Sequence, residues 1–354
     1  MQSANRIRAV FSFAGIMMLC VLIVPRPAVA AQEDVGAGSV ELKAAQVELD
    51  RGDYAAAARD FEKIRSNAPD SKEAWQGLIL SLQRLGNSGQ ALKIAKDAAE
   101  RWPSDGEMRH LLGFVYFQSG QPREAVNELS KAAQLEPGRY QAHLDLALAQ
   151  LSLKDFTAAA HELETVIRLQ PKLAMPHVLL GRALLNTNRT LPAIREFQRA
   201  LELDPQIPLG HYHLGFADQS LGRNSEAINE FRQEIALHPG NPQVLFRLGL
   251  ALVDTGQYQE AASVLRDSVQ IDPKNGEAQY ALGKCLLQLD RRDEAIEALT
   301  KASAFLPEDP RPFYLLARAY AKIQKPGESA KALERFNELS KKQEAAGGMA
   351  YRPN

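Results

Sequence analysis

Proline stands at Pro69, Pro103, Pro137, Pro171, Pro205, Pro239, Pro273 and Pro307, a spacing of 34 residues held without a slip. The elements of a globular core vary in length, so a fixed period sustained from residue 69 to residue 307 requires stacked copies of one supersecondary unit. Such a unit cannot bury its apolar face alone and does so against its neighbours. The period also bears on function, because stacked repeats build extended binding surfaces more readily than enclosed catalytic pockets.

Other columns share the period. Alanine recurs at Ala57, Ala91, Ala125, Ala159, Ala193, Ala227, Ala261 and Ala295, and leucine at Leu78, Leu112, Leu146, Leu180, Leu214, Leu248, Leu282 and Leu316. The residue after each leucine is small at Gly113, Ala147, Gly181, Gly215, Gly249, Gly283 and Ala317, and large only at Ile79. The leucine and the small residue fit one amphipathic helix and the alanine opens a second, with Gly52, Gly86, Gly120, Gly222 and Gly256 marking the turns between. Small side chains let two antiparallel helices approach closely, so the glycine or alanine of the first is expected to face the alanine of the second. Each proline then stops the second helix, and Ser71, Asp105, Asn241, Asn275 and Asp309, two residues on, are expected to cap the next.

The unit that runs from Lys72, with Trp75, Leu78, Leu82, Gly86, Ala91, Ala98 and Pro103, resembles the tetratricopeptide repeat (TPR) family. The resemblance implies an all-α fold, a right-handed TPR superhelix (α-solenoid) of about nine helix-turn-helix repeats over residues 38–343, followed by a frayed tail at 344–354. The register loosens at the ends. The first unit lacks the aromatic and leucine signature in its first helix, and the last carries Pro326 and no closing proline.

Residues 1–30 stand apart. Arg6 and Arg8 precede an apolar run from Ala9 to Val24, then Pro25-Arg26-Pro27 and Ala28-Val29-Ala30. That layout predicts a secretory signal cleaved between Ala30 and Ala31, with residues 31–37 as a linker and the mature chain periplasmic or extracellular. An uncleaved membrane anchor formed by residues 9–24 is the alternative, although the run falls short of the ~20 residues that span a bilayer. Removing Arg6, Arg8 and Arg26 from the 42 basic residues leaves 39 against 43 acids, a balance that offers no footprint for nucleic acid. Only Cys285 remains beyond the signal, so no intramolecular disulfide is expected in the mature chain.

The resemblance places positions 2, 5, 6, 9, 12 and 13 of each unit on a concave face where ligands commonly lie. Position 5 gives Tyr212, Phe246, Tyr280 and Tyr314, position 9 adds Phe114 and Phe216, and Phe117 lies nearby. Arg182, Arg247, Lys284, Arg311 and Arg318 map to the same face, with Lys322, against Asp254 and Glu277. Aromatics beside excess arginine suit a partner segment that is apolar and carries carboxylates. The alternative is that the tyrosines only pack on their neighbours. Two known TPR chemistries are not expected. The carboxylate clamp would need lysine, asparagine, asparagine and arginine where Phe246, Leu250, Ala281 and Leu315 stand, so that only Arg311 fits its pattern, and the inner asparagine ladder is missing.

No H-E-x-x-H, G-x-S-x-G or phosphate-binding loop occurs, so no catalysis and no cofactor are expected. His143, His177 and His211 share one column. Adjacent repeat helices lie ~8–10 Å apart, too far for one ion to gather all three nitrogens, so packing rather than metal ligation is expected. Cys285 stands in a column otherwise filled by Ala149, Ala183, Ala217, Ala251 and Ala319, as a small packing residue. The expected function is a non-catalytic scaffold that binds a peptide or helix of a partner protein in its groove, with no small-molecule substrate. The alternative is an accessory assembly subunit of a cell-envelope machine for secretion, polysaccharide export or outer-membrane assembly, acting through its convex face or its ends.

Overall fold

The structure, a computed structural model, describes residues 37–345, and every regular element among them is an α-helix. The expected signal segment, its cleavage site and residues 346–354 of the tail lie outside the described residues. The chain divides into two compact units, one ending at Pro171 and one beginning at Lys172. The first holds the pairs α1 (Ala37–Arg51) with α2 (Tyr54–Asn67), α3 (Lys72–Arg84) with α4 (Ser88–Arg101), α5 (Gly106–Gln118) with α6 (Pro122–Leu135), and α7 (Tyr140–Ser152) with α8 (Phe156–Leu169). The second holds α9 (Ala174–Asn186) with α10 (Thr190–Leu203), α11 (Gly210–Ser220) with α12 (Asn224–Leu237), α13 (Pro242–Asp254) with α14 (Tyr258–Ile271), α15 (Gly276–Gln288) with α16 (Arg292–Phe305), and α17 (Pro310–Lys322) with α18 (Pro326–Ala345). These are nine helix pairs among the described residues. Pro326 opens α18 at a position where no intrahelical N–H is needed, and that helix runs 20 residues, past the expected start of the tail.

The proline column acts through the residue in front of it. Ala68, Trp102, Glu136 and Gln170 end their helices at φ between −136° and −124° and ψ between 70° and 78°, the extended region that a following proline ring enforces. Two residues beyond the proline, the side chains of Ser71, Asp105, Asn241, Asn275 and Asp309 accept backbone N–H groups of the next helix, from Ala74, Met108, Val244, Ala278 and Arg311 respectively. Between the two helices of a pair the chain enters the left-handed region, at φ +77° for Gly86 and +72° for Gly120. The same column is left-handed where it holds no glycine, at Lys154, Asn188, Asp290 and Gln324.

Packing within a pair differs in one respect from the expected glycine-to-alanine contact. A Cβ on Gly113 would meet Leu129 Cγ at 2.5 Å, one on Gly181 would meet Phe197 Cε1 at 2.5 Å, and one on Gly249 would meet Leu265 Cγ at 2.5 Å. The small residue thus makes room for the large side chain one turn beyond the alanine, and at Gly215 and Gly283 the alanine carbonyl oxygen also comes close. Phe197 and Phe231 fill such gaps beside Gly181 and Gly215, while Phe61 packs on Gly77 of the following pair; each is nearly fully buried and contributes about 1.5–3 kcal/mol by burial.

Candidate functional site: the first-helix face

Within each unit the first helices of successive pairs contact one another, α1 with α3, α3 with α5 and α5 with α7, and likewise α9, α11, α13, α15 and α17. Within each unit, every second helix that is followed by another pair packs between the first helices of its own and that following pair. In each unit the first helices therefore form a row, and positions 5 and 9 of its repeats lie along it.

The structure distributes the predicted groove residues unevenly. Phe114 and Phe117 belong to the first unit and are half-buried; the other ten belong to the second. Tyr212 and Phe216 correct the expectation, since they are only 5% and 6% exposed and belong to the core around Phe231 and Leu248 rather than to an open groove. Their rings stack 6.5 Å apart, and Arg247 lies 4.7 Å over the Phe216 ring. Phe246, Tyr280 and Tyr314 are half-buried and pack against the core, so groove and packing roles are shared rather than exclusive. Tyr314 also meets Phe336 of α18 at 5.3 Å.

The cations divide in the same way. Arg311 is held by Asp309 and Glu277 and lies 4.9 Å over the Tyr280 ring. Burial opposes its charge, but the two carboxylates outweigh burial and raise its affinity for the proton. It is therefore not open to a partner's carboxylate, contrary to the sequence reading. Arg182 is half-buried, and desolvation pulls its guanidinium down to about 10. Lys284 and Arg318 are exposed, as is Lys322, and Arg318 lies 5.7 Å from the Tyr314 ring. Burial pushes the nearby Asp254 carboxyl up, while Lys284 draws it back down.

Family models described as tetratricopeptide repeat match residues 42–106, 116–176, 177–207, 214–276 and 252–319, most of the described chain. The chain belongs to the tetratricopeptide repeat family. No curated protein matches it. Among solved structures, a chain of the APC/C hetero-tetramer Cut9–Hcn1 is similar at 20% identity and a TM-score of 0.54, over 80% of this chain and 56% of that one. The TPR chain thus spans little more than half of that relative's length. YrrB, described as a TPR protein with an unusual peptide-binding site, is similar over 53% of this chain and 96% of its own, at 22% identity and a TM-score of 0.49. MamA from Desulfovibrio magneticus RS-1 is similar over 48% of this chain and 96% of its own, at 24% identity and a TM-score of 0.46.

The TPR columns also hold a polar arrangement that the sequence reading missed. The position of Trp75 becomes Arg109, His143, His177 and His211, and the position of Ile94, on the second helix of the same pair, becomes Glu128, Glu162, Glu196 and Glu230. The structure joins them across each pair, Arg109 to Glu128 at 2.9 Å and the three histidine Nδ1 atoms to their glutamates at 2.6–2.7 Å. Burial pushes the Glu128 carboxyl up, but hydrogen bonds from Lys131 and Arg109 prevail and hold it below its usual value. Beyond this stretch the two columns revert to Leu245 with Val264. Their joint change, 19 residues apart, was the signal available in the sequence. His213 takes no part in these pairs. It is buried, stacks on Phe197 at 5.5 Å, and is pushed well below the usual histidine range by desolvation and by Arg182.

Proposed function

We propose that this TPR protein is a non-catalytic scaffold that holds a segment of a partner protein along the first-helix row of its second unit. The observation that carries the reading is the row of half-buried aromatics Phe246, Tyr280 and Tyr314, one per repeat, beside exposed Lys284 and Arg318. Rings held at one edge by the core offer flat apolar area at little entropic cost, as interface anchors do. A photo-crosslinking side chain at Gln288, exposed on the same row, should capture a partner protein in cells, while one at Lys301 on the second helix should not. Capture from Lys301 alone would place binding on the opposite face and refute the reading.

A second reading, an assembly subunit docked by its end, is favoured by Val40 and Val47. Both lie on α1, the first described helix, and are 56% and 43% exposed. Replacing both with lysine should break assembly and spare segment capture if the end mediates multimerisation. Export with cleavage between Ala30 and Ala31 is proposed on the sequence of residues 1–30 alone, and Edman sequencing of exported protein should begin at Ala31.

A further inference from the structure

We propose that α1 docks an amphipathic helix of a partner protein on the face formed by Val40, Ala44 and Val47. That helix takes the place that a second helix takes before each later first helix of the unit, which deepens the end-docking reading and rests on it. The three residues stand at i, i+4 and i+7, one stripe of an α-helix, and all are exposed. Their columns are core wherever a second helix comes before. The equivalents on α7, Ala142, Leu146 and Ala149, are at most 2% exposed and form one cluster with Ala125, Leu129, Ala132 and Ala133 of α6. The same columns of α3 and α5 are also buried, and those helices pack against α2 and α4. In the second unit a Cβ on Gly210, in the column of Val40, would meet Leu201 Cδ2 of the preceding second helix at 2.8 Å. What the fold sets on this face is therefore a helix, and among the described residues α1 has none before it.

The stripe differs from its later copies in shape. Ala44 stands where the later repeats hold leucine, and Val47 where Ser81, Ala149 and Ala183 stand. It is thus two valine ridges with a notch at Ala44 between them. An end meant only for water carries polar residues on its outer face, and α18 does so with Glu334, Asn337 and Lys341 exposed. The α1 stripe is apolar instead.

Two other occupants match it poorly. A second copy could offer α18, but Asn337 stands there in the column of Leu201 and would bring its amide onto Val40, where the stripe has no polar side chain to receive it. Of the chain's own residues, the expected mature segment before α1 runs from 31 to 36, whereas α2, α4, α6 and α8 each take 14. A partner helix meets both requirements. It needs small or apolar residues at the spacing of Ala125, Leu129, Ala132 and Ala133, with a large side chain in the place of Leu129 to fill the notch at Ala44.

The probe is the sequence of α6, Pro122–Leu135, as a fluorescein-labelled peptide stapled between positions 127 and 131, both exposed in the repeat, with fluorescence anisotropy on the full chain. A form with phenylalanine in place of Leu129 should bind about tenfold more tightly than a form with glutamate there. The double variant Val40→Lys, Val47→Lys should weaken the phenylalanine form about tenfold and keep its helical circular dichroism, since both side chains are exposed. Ala44→Leu should remove the preference for phenylalanine over leucine by filling the notch. Equal binding of the glutamate form, or binding unchanged in the double variant, would overturn the proposal. If no peptide binds and sedimentation shows a self-associated chain that the double variant disperses, a second copy covers the face; the proposal fails and the end-docking reading stands. A crosslink from a photoreactive side chain at Val47 to residues 1–36 of the same chain would assign the face to that segment and overturn both. If the double variant changes neither peptide binding nor assembly, both fall as well.

Discussion

The Glu234 carboxylate, on the second helix of its pair, accepts the backbone N–H of Leu209 at 2.9 Å, at the start of the first. It also accepts from the N–H of Tyr212 at 3.2 Å and lies 3.0 Å from His238 Nδ1. Leu209 sits in the left-handed region at φ +64° and has no capping side chain, so a helix start that local sequence leaves open is closed from 25 residues away. The column of Glu234 elsewhere holds Ala98, Ala132, Ala200 and Ala302, and the buried acid at Glu234 is a substitute cap. Glu234→Ala should destabilise the second unit by about 2 kcal/mol, since it strands buried backbone donors. The amides of Leu209 and Tyr212 should then exchange hydrogen faster; unchanged exchange at both would contradict the capping role.

The left-handed turn column predicts gains as well as losses. Lys154 and Gln324 occupy at φ +62° and +57° the position that Gly120 and Gly256 fill elsewhere. An L side chain there costs about 1 kcal/mol relative to glycine, so Lys154→Gly and Gln324→Gly should each raise the denaturation midpoint by a corresponding amount. Gly120→Ala should lower it.

The paired columns can be tested by exchange. His177 and Glu196 lie 2.7 Å apart where a later repeat carries Leu245 and Val264. His177→Leu alone leaves the Glu196 carboxylate without its partner and should cost about 1–3 kcal/mol, whereas the double change His177→Leu, Glu196→Val should recover most of that loss. A double-mutant cycle in denaturant measures it, and strictly additive losses would show that the pair is not coupled.

Cys285 is fully buried, and desolvation pushes its thiol up to about 11. A thiol reagent should therefore fail to label the native protein at neutral pH and label it at the rate at which the repeat opens. The fold holds this proton more tightly than the unfolded chain does. The associated stability is thus complete below the ordinary thiol range and is lost as pH climbs through it towards the folded value. Cys285→Ala, which matches the alanine column, should remove that part of the alkaline destabilisation; an unchanged alkaline limb would mean that the thiol does not contribute.

Local chemistry made much of this protein readable in its sequence. The proline column fixes where second helices stop because the ring restricts the residue before it, and Ser71, Asp105 and Asn275 cap because their side chains reach donors three residues away. Neither effect needs a distant partner, so the period of 34 carried the helix-pair fold directly. The candidate face was legible only as a set of columns. Position 5 named Tyr212 and Tyr280 as equivalents, but the first is core and the second half-buried, because burial depends on the side chains that neighbouring helices bring, not on the register. Arg311 and Arg318 likewise read alike, and only the tertiary structure decided that Asp309 and Glu277 neutralise one and leave the other exposed. Sequence determined the repeat through interactions a few residues long. Tertiary structure decided which charges and rings remain for a partner, because those are the ones that contacts between helices do not consume.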